Sequence, residues 1–213
     1  MFRFPAITAL VGILGAGSAW AQTDPAALPA RDSHEGLLLA AAPLQDAAQY
    51  KAHFGKKNPY DAGIVAIEVF FRNDNDKPIR LDLESIRLLL RPPGGERQKL
   101  APLAVENAAD LIVNKGGPNP TTSRVPIPIP GRNKKGRGKD WAEAESALRG
   151  LAFDMDILPP KSSVHGFLYF NLNHRYELLE YSQLYVPGLK FMHNQQPLLF
   201  FEVDLGLAVA APR

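Results

Sequence analysis

The stretch GIVAIEVFFRN, residues 63–73, constrains the fold more than any other part of the chain. Every second residue from Val65 to Phe71 is apolar, and the opposite face of the strand also carries the apolar Ile64 and Phe70. Alternation of β-branched and aromatic residues with period two is typical of a β-strand. Because both sides of this strand carry large apolar residues, something must cover each of them.

The polar corner NDNDKP, residues 73–78, follows this strand. Its oxygen donors raise the question of a calcium loop, which in EF-hands requires ligands at positions 1, 3 and 5, Gly at 6 and Glu at 12. Starting at Asp74 puts Pro78 at position 5, and starting one residue earlier puts Lys77 there. The sequence therefore predicts a turn between strands, with a looser cation site using Asp74 and Asp76 as the alternative.

The next apolar run, PIRLDLESIRLLL, changes phase part-way along. Alternate residues from Ile79 to Leu83 share one face, and a new series runs from Ile86 to Leu90. Such a phase change indicates a bulge or a strand that crosses between sheets.

The remaining elements are shorter. We expect a strand at 36–44, helices at 45–54 and 140–149, a further helix at 102–113, and strands in the C-terminal third at 164–170, 181–191 and 198–205. The six to eight expected strands outnumber the expected helices. The fold class predicted is therefore mainly β, an antiparallel two-sheet sandwich with short helical insertions, spanning 36–205. An irregular basic and proline-rich insertion falls at about 114–139, and 206–213 is a C-terminal tail.

The N-terminus has the pattern of a secretory signal peptide. Arg3 is followed by an apolar stretch at 6–14, and Ala19-Trp20-Ala21 forms an A-x-A cleavage site. A membrane anchor is the alternative, but a bilayer span needs roughly 20 apolar residues. We therefore expect cleavage near Ala21, export to the periplasm or beyond, and a flexible arm at 22–35.

Composition excludes several classes of function. With no cysteine the chain has neither disulfide nor thiolate chemistry. A formal net charge of +2 gives no general attraction for nucleic acid. Five histidines, His34, His53, His165, His174 and His193, show no metal-ligand spacing, and we expect neither a metal nor a cofactor.

Catalytic motifs such as G-x-S-x-G do not occur. Acids on strand faces offer the alternative of a glycosidase pair: Glu68, Asp82, Glu202 and Asp204. Solvated acids on strand faces are commoner, so a non-catalytic protein is expected.

Two sets of side chains are candidates for binding. The basic loop offers an anion contact through Arg132, Lys134, Lys135, Arg137 and Lys139, with a solvated insertion as the alternative. Aromatic residues of the C-terminal third offer a partner surface through Phe167, Tyr169, Tyr185 and Phe200. The alternative is that the helices at 45–54 and 140–149 cover the outer sheet face.

Two stretches, IVAIEVFFRNDNDKPIRLDLESIRLLL and LPPKSSVHGFLYFNL, together resemble immunoglobulin-like modules of bacterial exported proteins without assigned activity. The resemblance implies an immunoglobulin-like sandwich and carries no catalytic residues. The insertion at 101–150 departs from a minimal module. The prediction is an exported, non-catalytic protein of the bacterial cell envelope that binds an envelope protein or a cell-surface component, including an anionic surface. The alternative is a carbohydrate-binding or hydrolytic module using acids and aromatics of one sheet face.

Overall fold

The computed structural model describes residues 24–114 and 138–210. The predicted signal peptide at 1–21 and most of the basic insertion lie outside the described residues. Within the described ranges, no helix combines the length and the hydropathy needed to cross a bilayer.

The described residues form eleven strands and four α-helices. The strands are β1 Arg31–His34, β2 Leu37–Pro43, β3 Ile64–Asn73, β4 Ile79–Arg80, β5 Arg87–Leu90, β6 Gln98–Leu100, β7 Ile157–Leu158, β8 Ser162–Asn171, β9 Ser182–Val186, β10 Lys190–Phe191 and β11 Phe201–Asp204. The helices are α1 Ala47–Phe54, α2 Val105–Val113, α3 Lys139–Arg149 and α4 Gly206–Ala210. Short 3-10 segments occupy Pro25–Ala27, Pro59–Ala62, Leu83–Ser85 and Tyr176–Tyr181.

The strands pair in three antiparallel sheets, which we call A, B and C. Sheet A has the order β1-β2-β3-β8, sheet B has β10-β4-β7, and sheet C has β11-β9-β5-β6. The mainly β, antiparallel class is therefore confirmed, but the described strands form three sheets rather than two. The phase change after β4 is a crossing between sheets, because the 3-10 segment Leu83–Ser85 separates β4 in sheet B from β5 in sheet C.

One apolar core joins the three sheets. Alternate residues of β3 point into it, from Val65 to Phe71, and Leu168 and Phe170 of β8 lie beside them. Sheets B and C supply the opposite side with Ile79, Leu88, Leu158, Leu184, Phe201 and Val203. Nearly all of β3 is buried, and it is the membership of this core that alternates along the strand, in agreement with its sequence.

A second apolar cluster lies on the other face of β3 and β8. Ile64, Ala66, Phe167 and Tyr169 are covered there by side chains of three helices: Tyr50 and Phe54 of α1, Ala108 and Leu111 of α2, and Ala144 and Leu148 of α3. Asp46 caps α1, its carboxylate accepting from the N–H groups of Ala48 and Gln49. The helices therefore cover the outer face of the sheet, the alternative raised from the sequence.

The chain N-terminal to β2 is more ordered than the arm expected at 22–35. Residues Arg31–His34 form β1 and pair with β2 from Leu37 to Ala40. Ala26 and Leu28 pack on a small cluster of Leu38, Ala40 and Phe70. The expectation of a loose arm is wrong for these residues, because they pair with the edge of β2 and cover an apolar part of sheet A.

Part of the predicted C-terminal tail is also structured. The backbone carbonyl of Ala208 in α4 accepts a hydrogen bond from Gln45 Nε2 at 3.0 Å.

Candidate functional site

The polar corner after β3 is built around the buried side chain of Asn73. Its Oδ1 accepts from the N–H of Asn75 at 3.0 Å. Its Nδ2 donates to three carbonyls, those of Lys77 at 2.9 Å, Leu158 at 3.3 Å and Pro159 at 3.0 Å. Asn73 thus joins the turn to the start of β8, and the predicted turn between strands is confirmed.

The acids of this corner pair with cations. Asp74 lies 3.2 Å from the guanidinium of Arg72, and Asp76 lies 3.2 Å from Lys161 Nζ. The carbonyl of Asp74 accepts from the same Lys161 ammonium at 2.7 Å. These cations occupy the oxygens that a looser calcium site would need. Across the described residues, no three His, Asp or Glu side chains are grouped so as to hold a metal ion.

Four of the five histidines pack against aromatic rings, and one of them, His193, meets Phe191 edge-on with ring centroids 5.8 Å apart. His34 stacks on Phe201 with ring centroids 3.7 Å apart, and His53 meets Phe167 edge-on at 5.3 Å. His165 stacks on Phe70 and its Nδ1 lies 3.0 Å from Glu68 Oε1. These contacts give the four imidazoles structural partners.

The four acids considered as a hydrolytic pair are spread over the three sheets. Glu68 is on β3 of sheet A, Asp82 follows β4 of sheet B, and Glu202 and Asp204 are on β11 of sheet C. Only the last two share a strand face, with Cα atoms about 7 Å apart by strand geometry. The carboxylate of Asp204 accepts from the N–H of Gly206 at 2.9 Å at the start of α4. It therefore has a local structural role.

The outer face of sheet C brings aromatic and charged side chains together. Along β9 the buried Ser182, Leu184 and Val186 alternate with half-buried Gln183 and Tyr185. Strand register places Tyr185 between Glu202 of β11 and Arg87 of β5. The same register places Gln183 between Asp204 and Leu89, with Lys99 of β6 beyond. We call this surface, with Phe200, the sheet C face.

Phe200 is the most exposed aromatic ring of the sheet C face, at 52%. Its ring centroid lies 5.4 Å from that of Tyr185, and the neighbouring Leu199 is 64% exposed. Glu202 lies 3.9 Å from the guanidinium of Arg91. The face thus has acids on β11, cations on β5 and β6, and aromatic rings on the acidic side.

The structure divides the predicted aromatic partner surface. Tyr185 and Phe200 lie together on the sheet C face. Phe167 is 4% exposed and Tyr169 2% exposed under the helices, so the prediction of a partner surface is wrong for both. The hydroxyl of Tyr169 donates to the carbonyl of Leu148 at 2.9 Å, and burial raises the pKa of this phenol. Phe167 and Tyr169 are buried because α1, α2 and α3 pack on their face of sheet A.

Four residues of the predicted anion contact, Arg132, Lys134, Lys135 and Arg137, lie outside the described residues. Lys139 is described at the start of α3, where its side chain is exposed and its Nζ is 3.7 Å from Glu143 Oε1. This i, i+4 pair is a surface contact within one helix.

Sequence reasoning missed the cations of the sheet C face, Arg87, Arg91 and Lys99, and the exposed Leu199. Arg87 reaches Tyr185 only through the pairing of β5 with β9, strands that are nearly a hundred residues apart. The signal that was available is the alternation within RLLLR, which places Arg87, Leu89 and Arg91 on one side of a strand.

Comparison with known proteins gives little further guidance. No protein-family model matches the chain, and no curated protein matches it. Among solved structures, it is similar to a functionally unknown protein from Listeria monocytogenes EGD-e, at 15% identity and a TM-score of 0.33. That alignment covers 74% of this chain and 70% of the Listeria chain. A TM-score this low does not establish a shared fold.

Proposed function

We propose that this chain is an exported, non-catalytic protein of the bacterial cell envelope that binds a protein or a cell-surface component through the sheet C face. The observation that carries the proposal is the exposed ring of Phe200 against Tyr185, next to the exposed Leu199 and with Arg87 opposite Tyr185 on β5. Aromatic residues and arginine are enriched at protein interfaces and supply most of their binding energy. Exposed apolar side chains rimmed by charge are typical of such surfaces.

Site-specific photo-crosslinking tests the proposal. A benzophenone amino acid replaces Phe200, and in a matched control it replaces Leu207, which is 53% exposed on α4. On irradiation in the envelope fraction, we expect one dominant adduct from position 200 and none of that mass from position 207. Equal adducts at both positions, or none at position 200, would refute the sheet C face as a binding surface.

Export rests on the N-terminal sequence alone. We propose that the mature chain begins at Gln22, after cleavage of Ala19-Trp20-Ala21. Mass spectrometry of the protein recovered from a bacterial periplasm should give the mass of 22–213. An intact chain beginning at Met1 in the membrane fraction would favour the anchor instead.

We also propose that the fold is an immunoglobulin-like sandwich in which sheets B and C together make the second layer. Support comes from the single apolar core, which contains Val69 of β3 together with Ile79 of sheet B and Leu184 of sheet C. A crystal structure with either small sheet packed away from sheet A would contradict this assignment.

The second candidate is a carbohydrate-binding or hydrolytic module using the same face. The observation in its favour is the aromatic ring of Tyr185 beside Glu202, which itself lies two residues from Asp204. Calorimetry with soluble cell-wall polysaccharide and an assay for released reducing ends separate the two activities. If Glu202→Gln abolishes release of reducing ends while polysaccharide still binds, the protein is a hydrolase and the non-catalytic proposal fails.

A further inference from the structure

The outward edge of β8 is paired at two separate points. The N–H of Phe167 donates to the carbonyl of Leu151 at 2.8 Å, and the carbonyl of Phe167 accepts from the N–H of Phe153 at 2.9 Å. Two residues further, the carbonyl of Tyr169 accepts from the N–H of Leu103 at 2.7 Å. A continuing parallel ladder would join Tyr169 N–H to the carbonyl of Phe153. That bond is not formed in the described structure.

The register of sheet A shows where the N–H of Tyr169 points. Ala66 lies opposite Tyr169 on β3. The N–H of Ala66 donates to the Tyr50 hydroxyl at 2.9 Å, and its carbonyl accepts from the N–H of Leu44 at 2.9 Å. Both polar groups of Ala66 therefore point away from β8. The pair is of the non-hydrogen-bonded type, so the Tyr169 N–H points out of the sheet edge.

This amide is buried and donates to no acceptor within the described part of the chain. Tyr169 is 2% exposed, and the described hydrogen bonds use its hydroxyl and its carbonyl. More than nine in ten buried backbone N–H groups in proteins have a partner, because an unpaired one costs about as much as a lost hydrogen bond. An acceptor from outside the described residues would satisfy it.

An open groove of about 430 Å³ lies at this point. Segments 101–105 and 152–154 form its sides, and its lining is mainly apolar, with Leu83, Leu103, Val105, Phe153, Phe167 and Leu168. Two acids also line it, Glu84 and Asp154. Neither carboxylate is within ion-pair distance of a cation among the described residues; the nearby Arg87 guanidinium bonds the backbone carbonyl of Glu84.

We propose that this groove binds an extended, basic peptide segment of a partner protein. One apolar side chain of the segment fills the groove, a backbone carbonyl accepts from the Tyr169 N–H, and flanking lysine or arginine side chains pair with Glu84 and Asp154. Two carboxylates disfavour an anionic acceptor, whereas a peptide carbonyl is neutral. Main-chain hydrogen bonds at a sheet edge combined with a pocket for a side chain are a common mode of peptide recognition, and here the partly paired edge offers one N–H between its two paired points. The groove shares no residue with the sheet C face, so this site goes beyond the proposed function.

The test uses the purified chain and a capped heptapeptide that alternates lysine with valine and leucine. The protein is labelled with ¹⁵N on its six tyrosines only. Tyr169→Phe assigns the amide signal of interest, because the substitution keeps the backbone N–H but removes the label. On addition of peptide, we expect the Tyr169 amide signal to shift saturably and its hydrogen exchange to slow.

Matched charge reversals test the recognition of basic flanks. The double variant Glu84→Lys/Asp154→Lys should weaken peptide binding roughly tenfold. The control Glu96→Lys/Glu177→Lys makes the same change in net charge at exposed acids away from the groove and should leave affinity unchanged. Replacing the lysines of the peptide with glutamate should abolish binding to the wild-type chain.

Three results would overturn the proposal. They are the absence of a saturable shift at Tyr169, equal weakening by both double variants, and a shift confined to the amide of Tyr185. The last result would instead assign peptide binding to the sheet C face. Conversely, failure of crosslinking at position 200 leaves the Tyr169 result unaffected, so the two proposals fail independently.

Discussion

The outer faces of β8 and β9 carry similar side chains but have opposite surroundings. Phe167 and Tyr169 on β8 lie beneath three helices, whereas Tyr185 on β9 is only half-buried and its neighbour Phe200 is exposed. Phe167 and Tyr169 of β8 and Tyr185 of β9 all occupy positions that face away from the main core, whereas Phe170 of β8 faces it. Alternation therefore reports which face of a strand a residue occupies, and the elements packed on that face decide whether the residue stabilises the fold or remains available for binding.

The largest expected difference between the two faces is in stability. Phe167→Ala removes a buried ring from the cluster beneath the helices and should lower the free energy of unfolding by about 3–5 kcal/mol. The same substitution at the exposed Phe200 should change it by less than about 0.5 kcal/mol. Urea unfolding followed by circular dichroism measures both. Similar losses at the two positions would mean that the face of β8 is not covered as described.

The next largest loss of stability is expected at Gly166 of β8, where the backbone of Phe153 approaches closely. A Cβ at Gly166 would lie 2.8 Å from the Cα and N of Phe153, so Gly166→Ala should destabilise the protein by about 1–3 kcal/mol. Gly150→Ala at the end of α3 is the control, because its Cβ would meet a neighbour at 3.4 Å and its backbone is helical. That control should be neutral or stabilising by up to about 1 kcal/mol. Equal effects would contradict the pairing of segment 151–153 with β8.

Alkaline pH should lower the free energy of unfolding, because two phenols are buried between the helices and sheet A. Burial raises the pKa values of Tyr50 and Tyr169, so the folded state retains their protons where the unfolded state, with an ordinary phenol pKa near 10, releases them. Stability is therefore fully present below pH ~10 and falls above it, by up to about 1.4 kcal/mol per pH unit for each tyrosine. In urea unfolding between about pH 9 and pH 11, Tyr169→Phe should reduce this slope by one tyrosine. An unchanged slope would show that this phenol ionises in the folded protein.

A double substitution on the sheet C face should have a small effect on stability and a large effect on binding. Tyr185→Ser with Phe200→Ser should shift the unfolding free energy by less than about 1 kcal/mol, since both side chains remain at least partly solvated. The same double variant should lose the partner captured by crosslinking, now tested with the benzophenone at Leu199. Retained crosslinking would remove the aromatic pair from the binding surface.

The sequence predicted the parts of the fold that have strong local patterns. The strand at Ile64–Asn73 and the helix at Ala47–Phe54 follow from period and capping residues within a few positions. Sheet B could not be predicted in this way, because β4, β7 and β10 are each two residues long and carry too little pattern to recognise. The strand at Arg31–His34 was missed for a related reason: RDSH is polar, and its pairing is set by the free edge of β2.

The candidate sites also divide into residues that local patterns identify and residues that depend on long-range packing. Tyr185 and Phe200 were identified from alternation within their own segments, whereas the exclusion of Phe167 and Tyr169 depends on where three helices pack. The groove at the edge of β8 joins Leu103, Phe153 and Tyr169, which come from three distant parts of the chain. Contacts of that kind have no local signature in a single sequence.

Hydroxyl-radical footprinting read by mass spectrometry tests the difference between the two faces and the proposed binding together. In the free protein, Phe200 should be oxidised rapidly while Phe167 is protected, in line with exposures of 52% and 4%. Adding the envelope fraction should protect Phe200 and leave exposed Leu207 as reactive as before. Rapid oxidation of Phe167, or a Phe200 reactivity that the envelope fraction leaves unchanged, would contradict the assignment of sheet C as the open, partner-binding face.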